Sequence, residues 1–425
     1  MGRSDGGCIM SRAVAIVGSG PSGCYLAQAL LKAAPDLRVD LIDRLPVPYG
    51  LVRYGVAADH QGTKGVIRQF ERVFERQGAG FVGNVTIGED VSLDALREAY
   101  DAVVLAAGLS ADRTLGIAGE DLQGVHRAGQ LTRALYEHPD AAPLPELGSR
   151  VVIMGNGNVA IDILRLLAKT PEELAGSDLG AAPSDWLTRS GIEEIEIVGR
   201  SPASAAKFDP VMIKELVKLE GINIRVLGAD RSDDPEAAKK LAALEAINGH
   251  GCGARRITFR FGLTPIELSG PDDHLKEARF LDGQGNTVIL PCSAFITAIG
   301  FGAEVGLPRD LLIGEAVDRE AGVLAPGLYA TGWFRRGPQG TIPDNRADAQ
   351  RLASHILADF EGAAALPEKP GRQAFPDWAG AVGYHGWKRI DVAEISNAPE
   401  NRCRAKIASR DAMLALALQK EEVSQ

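Results

Sequence analysis

The chain has 425 residues, with 46 Lys plus Arg against 56 Asp plus Glu and a formal charge of -10, so nucleic acid and anionic membranes meet net repulsion and are not expected partners. Its five cysteines, Cys8, Cys24, Cys252, Cys292 and Cys403, lie scattered without a C-x-x-C pair, which argues against a redox disulfide, an iron-sulfur cluster or any other metal site. At about 150 residues per domain the length allows two or three domains, and with no run near the roughly 18 apolar residues of a membrane span and no secretory apolar start, a soluble cytoplasmic protein is expected.

Ala13 to Val17 reads as a buried strand, Gly23 to Ala33 has helical apolar spacing, and Val39 to Ile42 is apolar again. Together they form a βαβ unit. Its first turn is Gly18-Ser19-Gly20-Pro21-Ser22-Gly23, and Asp43 closes its second strand. From Leu45 to Gly65 the chain is rich in Pro, Gly and His and reads as a long loop, followed by a helix over Val66 to Gln77. Tyr100 to Gly108 is a further buried strand, and Leu115 to Glu120 looks like a linker that crosses to a second domain.

A second βαβ unit spans Val151 to Arg200, with Gly155-Asn156-Gly157-Asn158-Val159-Ala160 in its first turn and Gly199-Arg200-Ser201 after its second strand. Residues 171 to 190, which surround Trp186, read as an insertion. Helical spacing recurs over Val211 to Leu219 and Pro235 to Ile247, and strand runs cover Arg256 to Phe261, Thr287 to Leu290, Ala294 to Ile299 and Gly327 to Gly332.

Glycines between strand and helix let a backbone approach a pyrophosphate, whose charge the free N-H groups at the helix start favour. An acid about 20 residues onward holds a ribose diol, so Gly18, Gly20, Gly23 and Asp43 form a complete dinucleotide pattern. The second loop has Ala160 in place of the third glycine, which only needs to be small. It ends on a base, and a guanidinium with a neighbouring hydroxyl suits a ribose 2'-phosphate, which favours NADP over NAD. One chain is thus expected to bind two dinucleotides with different jobs.

Pro48-Tyr49-Gly50-Leu51-Val52-Arg53-Tyr54-Gly55-Val56-Ala57-Ala58-Asp59-His60, both glycine loops, Gly332-Trp333-Phe334-Arg335-Arg336-Gly337-Pro338-Gln339-Gly340-Thr341-Ile342 and the tail Gly386-Trp387-Lys388-Arg389-Ile390-Asp391 resemble the adrenodoxin-reductase-like ferredoxin-NADP reductases over nearly the whole chain. The resemblance implies an α/β fold of two Rossmann-like dinucleotide-binding domains, the NADP domain (114-325) inserted into a discontinuous FAD domain (1-113 and 326-425).

It also implies roles. Ser22 and Asp43 would hold the adenosine side of FAD, with Leu51 and Val85 packed near the cofactor. Trp333 and Gly340, Thr341 and Ile342 would lie along the isoalloxazine, the last three offering backbone N-H groups to the ring edge that becomes negative on reduction. Asn156, Gly157, Asn158 and Val159 would cradle the NADP pyrophosphate, Arg200 and Ser201 would face the 2'-phosphate, and Glu215 would sit at the nicotinamide end. His60 is the candidate for orienting the flavin or relaying a proton, and Asp162, on the helix after the second loop, is a candidate for a supporting role behind the site. The family typically has two adjacent arginines where this chain has Arg200-Ser201. One phosphate contact is therefore missing, weakened or supplied by Lys207, and NADH stays open as a donor beside NADPH.

The implied reaction carries a hydride from NADPH to FAD and then single electrons to a ferredoxin-type iron-sulfur protein. Such partners are acidic, so docking calls for a local basic patch, with Arg53, Lys214, Lys218, Lys239, Lys240, Arg255 and Arg256 as candidates. A flavin disulfide reductase, an electron-feeding subunit of a larger complex and a non-catalytic FAD/NAD(P) redox sensor are the alternatives. The first two want cysteine pairs or clusters that the chain lacks.

Overall fold

The computed structural model describes residues 12-303, 307-362, 367-376, 378 and 380-419. Two parallel-stranded sheets organise them. The first has the strand order Val323–Ala325, Leu328–Ala330, Ala102–Leu105, Ala13–Val17, Arg38–Asp43, Gly80–Gly83, parallel throughout except for its terminal hairpin. The second has the order Val125–Arg127, Ala294–Thr297, Arg150–Met154, Glu194–Gly199, Arg255–Phe261, Ile222–Leu227.

Strands such as Ala13–Val17 and Ala102–Leu105 are buried along their whole length, as expected of central strands covered by helices on both faces. Helix Pro21–Ala33 lies on one face of the first sheet and packs against the long helix Ile342–Gly362, whose segment follows the second sheet in sequence. The chain passes between the sheets twice, and the two crossings pair with each other: Ala111–Asp112 runs antiparallel to Phe301–Gly302. The hairpin at 323-330 belongs wholly to the first sheet, so residue 323 already stands on that side of the boundary expected at 326.

A three-stranded antiparallel sheet, Thr264–Ser269, Glu277–Leu281 and Thr287–Pro291, packs on the second sheet, with Phe280 stacked against Phe295. The segment from 45 to 65 contains two single helical turns, Leu51–Tyr54 and Gln61–Lys64, where the Pro and Gly content predicts only loop. The insertion at 171-190 likewise holds a helix, Ala181–Arg189, and its Trp186 donates to the Pro145 carbonyl at 2.8 Å. Among the described residues Cys24, Cys252, Cys292 and Cys403 are free thiols, and no helix is long and apolar enough to cross a membrane. Cys8 lies outside the described residues.

Candidate active site

The first glycine loop is shaped by its contacts behind and in front. Gly18 has φ +110°, and a side chain there would collide with the Ala106 carbonyl. Its N-H donates to the Ile42 carbonyl at 2.7 Å. Helix Pro21–Ala33 then starts at Gly20 with Pro21 in its first turn and no acid nearby in the helix, so nothing of its own competes for the positive end. Ahead of it the 45-65 segment folds over, bringing Gly50 opposite Gly20 with the Tyr49 N-H on the Ser19 carbonyl at 3.1 Å. Asp43 accepts from the Ser19 N-H and hydroxyl at 2.9 and 2.5 Å and from the Leu45 N-H at 3.0 Å. Ser22 donates to Asn345 Oδ1 at 3.2 Å. Leu51 is exposed at the mouth, whereas the Val85 side chain is 3% exposed and packs in the core. The Val85 N-H donates to the Asp43 carbonyl at 3.0 Å.

The wall predicted at 332-342 stands next to this loop. The Thr331 hydroxyl and Gly332 N-H both donate to Asp348 Oδ2, at 3.0 and 2.9 Å, and Arg335 meets Oδ1 at 2.5 Å. Burial would raise the Asp348 carboxyl, but the Gly332 N-H and the Arg335 and Arg336 guanidinium groups outweigh it and hold the group below its usual value. Trp333 is partly exposed, stacks on Phe301 with centroids 6.4 Å apart, and donates to the Gly340 carbonyl at 3.3 Å. Gly340, Thr341 and Ile342 precede and open helix Ile342–Gly362. The Thr341 N-H is taken by Asp344 at 2.6 Å, so of the three expected donors it is the one already engaged.

At the second loop the Gly155 N-H donates to the Val198 carbonyl at 2.8 Å, and helix Asn158–Ala168 starts at Gly157. A side chain at Gly157 would meet nothing within 4 Å, and the buried Asn156 Nδ2 has no hydrogen-bond partner. Val159 packs on the core behind it. Arg200 is exposed just past strand Glu194–Gly199, and the Ser201 carbonyl accepts from the Gly262 N-H at 3.1 Å.

His60, Asp162 and Glu215 come together between the two loops. His60 Nδ1 lies 3.7 Å from Asp162 Oδ1, and its Nε2 lies 3.5 Å from Glu215 Oε2. The imidazole thus bridges a carboxylate on the helix of the second loop and one on helix Pro210–Glu215. Burial raises the Asp162 carboxyl above its usual value, against the pull of Arg165 and His60. One residue before His60, Asp59 accepts two hydrogen bonds of 2.9 Å from Arg165 and pairs with Lys169 at 2.7 Å.

The sequence pattern of the pyridine nucleotide-disulphide oxidoreductase family matches residues 12-229. Over 94% of its length the chain is 41% identical to cindoxin reductase of Citrobacter braakii, covering 90% of that protein. It is 32% identical to the mitochondrial NADPH:adrenodoxin oxidoreductase of Arabidopsis thaliana, covering 95% of each. The chain belongs to the adrenodoxin-reductase-like ferredoxin-NADP reductases. The structure of Mycobacterium tuberculosis FprA in complex with NADPH superposes with a TM-score of 0.87 over 96% of this chain and 100% of that one, at 32% identity.

Much of what positions the site in this reductase is not visible as a motif. Arg165, Lys169 and Asp348 carry no local signature, and their partners stand far away in sequence or on another element. Phe301, which backs Trp333, follows an unremarkable strand. Most of the basic residues expected to dock a partner are engaged. Arg53 is 4% exposed and paired at 2.5 Å with the fully buried Glu394. Arg255 donates to the Ile192 and Ala168 carbonyls, Arg256 pairs with Glu194, Lys239 with Glu236, and Lys240 donates to the Ala206 carbonyl. Arg256 and Lys239 stay exposed within their pairs, and Lys214 and Lys218 are exposed on one short helical stretch.

Proposed function

We propose that the chain is a flavin-dependent ferredoxin-NADP reductase that takes a hydride from NADPH onto FAD and passes electrons singly to a ferredoxin-type iron-sulfur protein. The observation that carries this reading is the meeting of the two glycine-loop units at His60. The segment that folds over the first loop at Gly50 is the same segment whose Asp59 and His60 contact Arg165 and Asp162 on the helix of the second. Two dinucleotides held by these loops would have their reactive ends in one cleft, where proximity and orientation do most of the work.

The residues fit both groups. The open face of Gly157 and the unpartnered Asn156 amide offer room and a donor for a pyrophosphate, and the close approach of Gly20 and Gly50 keeps side chains away from the other helix start. FAD, when bound, supplies the chemistry of accepting a hydride and releasing electrons one at a time. Asp43 and Ser22 would hold its adenosine side, and the N-H groups of Gly340 and Ile342 would face its ring beside the start of a 21-residue helix whose first turn carries Asp344. Trp333, backed by Phe301, would wall the ring from water. His60 would hold or release a proton at an imidazole nitrogen flanked by Asp162 and Glu215. Arg200 and Ser201 would receive the 2'-phosphate.

FAD would be held by residues 1-113 and 326-425 and the nicotinamide dinucleotide by 114-325. Strand Leu328–Ala330, joined to Ala102–Leu105 in the first sheet, supports this division. The four free thiols are consistent with the reducing cytoplasm, where we place the enzyme. The test is electron transfer by the purified holoprotein: NADPH should drive ferricyanide reduction, and cytochrome c reduction should need an added iron-sulfur ferredoxin. A flavin-loaded protein that reduces ferricyanide with neither NADPH nor NADH would overturn the reading.

A further inference from the structure

We propose that Lys207 binds the pyrophosphate of the nicotinamide dinucleotide and leaves selection of the 2'-phosphate to Arg200, an assignment that rests on reading the second glycine loop as the NADPH site. The backbone around Lys207 is fixed against that loop. Its N-H donates to the Asn156 carbonyl at 3.3 Å, and Lys207 and Gly157 form a parallel bridge. On either side, the Asp209 N-H donates to Asn158 Oδ1 at 2.8 Å, the Ala206 carbonyl accepts from Lys240 at 2.7 Å, and Phe208 is buried in the core.

Residues facing each other across such a bridge project to the same side, with backbones about 4.8 Å apart. The side shared by Lys207 and Gly157 is open, because a side chain at Gly157 would meet nothing within 4 Å. It is also the space in front of helix Asn158–Ala168, whose first turn carries no acid. Lys207 is exposed, and its ammonium has no hydrogen bond or ion pair among the described residues. The nearest acid in sequence, Asp209, spends its Oδ1 capping the Val211 N-H at 2.8 Å. A flexible cation is thereby set over the glycine turn with its charge unspent.

Arg200 leaves from a different place. It follows Gly199 at the end of its strand, and the loop beyond it is anchored by Ser204, whose N-H and hydroxyl donate to Asp230. The two cations therefore meet different phosphates. Lys207 reaches the group that NADPH and NADH share, and does not stand in for a second 2'-phosphate contact beside Arg200.

Calorimetric titration of the oxidised holoenzyme tests this with three probes: NADP+, ADP-ribose, which has the pyrophosphate alone, and 2'-AMP, which has the 2'-phosphate alone. Lys207→Ala is expected to weaken NADP+ and ADP-ribose by the same factor, about two- to fivefold, and to leave 2'-AMP unchanged. Lys207→Arg should recover most of the loss, and Arg200→Ala should weaken NADP+ and 2'-AMP alone. Retained flavin absorbance shows that each variant is folded. Lys207→Ala weakening 2'-AMP, or weakening nothing, overturns the assignment. A wild-type holoenzyme that binds none of the three overturns the NADPH reading itself, and the assignment with it.

Discussion

Arg165 grips Asp59 through two hydrogen bonds of 2.9 Å, with side chains only 3% and 7% exposed. This fork joins the helix of the second glycine loop to the segment folded over the first, and the residue after Asp59 is His60. Arg165 also pairs with Asp162 at 2.8 Å, so one guanidinium holds both the backbone next to the imidazole and one of the two carboxylates beside it.

Removing that guanidinium leaves two buried carboxylates short of a partner. Arg165→Met is expected to destabilise the protein by about 3-5 kcal/mol, read as a shift in the urea midpoint at unchanged slope. Reductase activity should fall further than flavin content, because the fork orients His60 rather than the FAD loop. Equal losses of flavin and activity would argue against that positioning role.

Asp59 also sets a pH dependence. Burial would raise its carboxyl, but the hydrogen bonds and charges of Arg165 and Lys169 outweigh burial and hold it well below the usual carboxylate range. The unfolded chain therefore binds this proton first on acidification, so the contribution is complete above the unfolded value of about 4 and is lost as pH falls below it. The stability gap between wild type and Asp59→Asn should be constant near neutrality and close below about pH 4. A gap that widens on acidification would contradict the sign.

His138 should shape the curve at higher pH. Burial lowers its imidazole well below the ordinary value, against the pull of Asp140, and Nδ1 accepts from the Asp140 N-H at 3.1 Å while the ring packs edge-on to Tyr54. From about pH 6.5 downward the unfolded chain takes up a proton that the folded chain refuses. Wild type should lose stability over that range, and His138→Gln should lose less over the same range despite being less stable at neutrality. Parallel pH profiles for the two would show that His138 titrates normally.

Gly332 makes the proposed flavin wall sensitive to a single methyl group. Its φ is +62°, and a Cβ would run into the hydroxyl of Ser22 on the first-loop helix. Gly332→Ala must push apart the two segments that frame the proposed FAD site. We expect FAD to be held at least about fivefold more weakly, given a strain of about 1-3 kcal/mol, seen as a lower flavin-to-protein ratio after dialysis. Full retention would show that the wall gives way elsewhere.

The elements around the glycine loops were legible because strand, turn and helix follow one another within some thirty residues and each has its own periodicity. Helix Pro235–Ile247 begins and ends where its spacing predicts, helped by the Asp234 side chain capping the Ala237 N-H. Edge strand Ile222–Leu227 shows no clear strand signal, since it is half exposed and carries Asn223 and Arg225 among its apolar residues. The small antiparallel sheet was only partly read, because one face of it is solvated. The turns at 51-54 and 61-64 are too short to show a period. Within the site, residue types next to a glycine loop were readable, whereas Arg165 with Asp59 and Asp348 with Gly332 come from tertiary pairing that leaves no trace in spacing. Arg53 shows the converse, since a basic residue in the stretch 48-60 serves a buried ion pair with Glu394 rather than a surface.

The most direct measurement is anaerobic mixing of the oxidised holoenzyme with NADPH and, in parallel, with NADH, following the visible flavin band. The account predicts that NADPH bleaches the band and that NADH does so more slowly, with the difference abolished by Arg200→Ala. A flavin band untouched by either nucleotide would contradict the claim that the two glycine loops bring their dinucleotides together at His60.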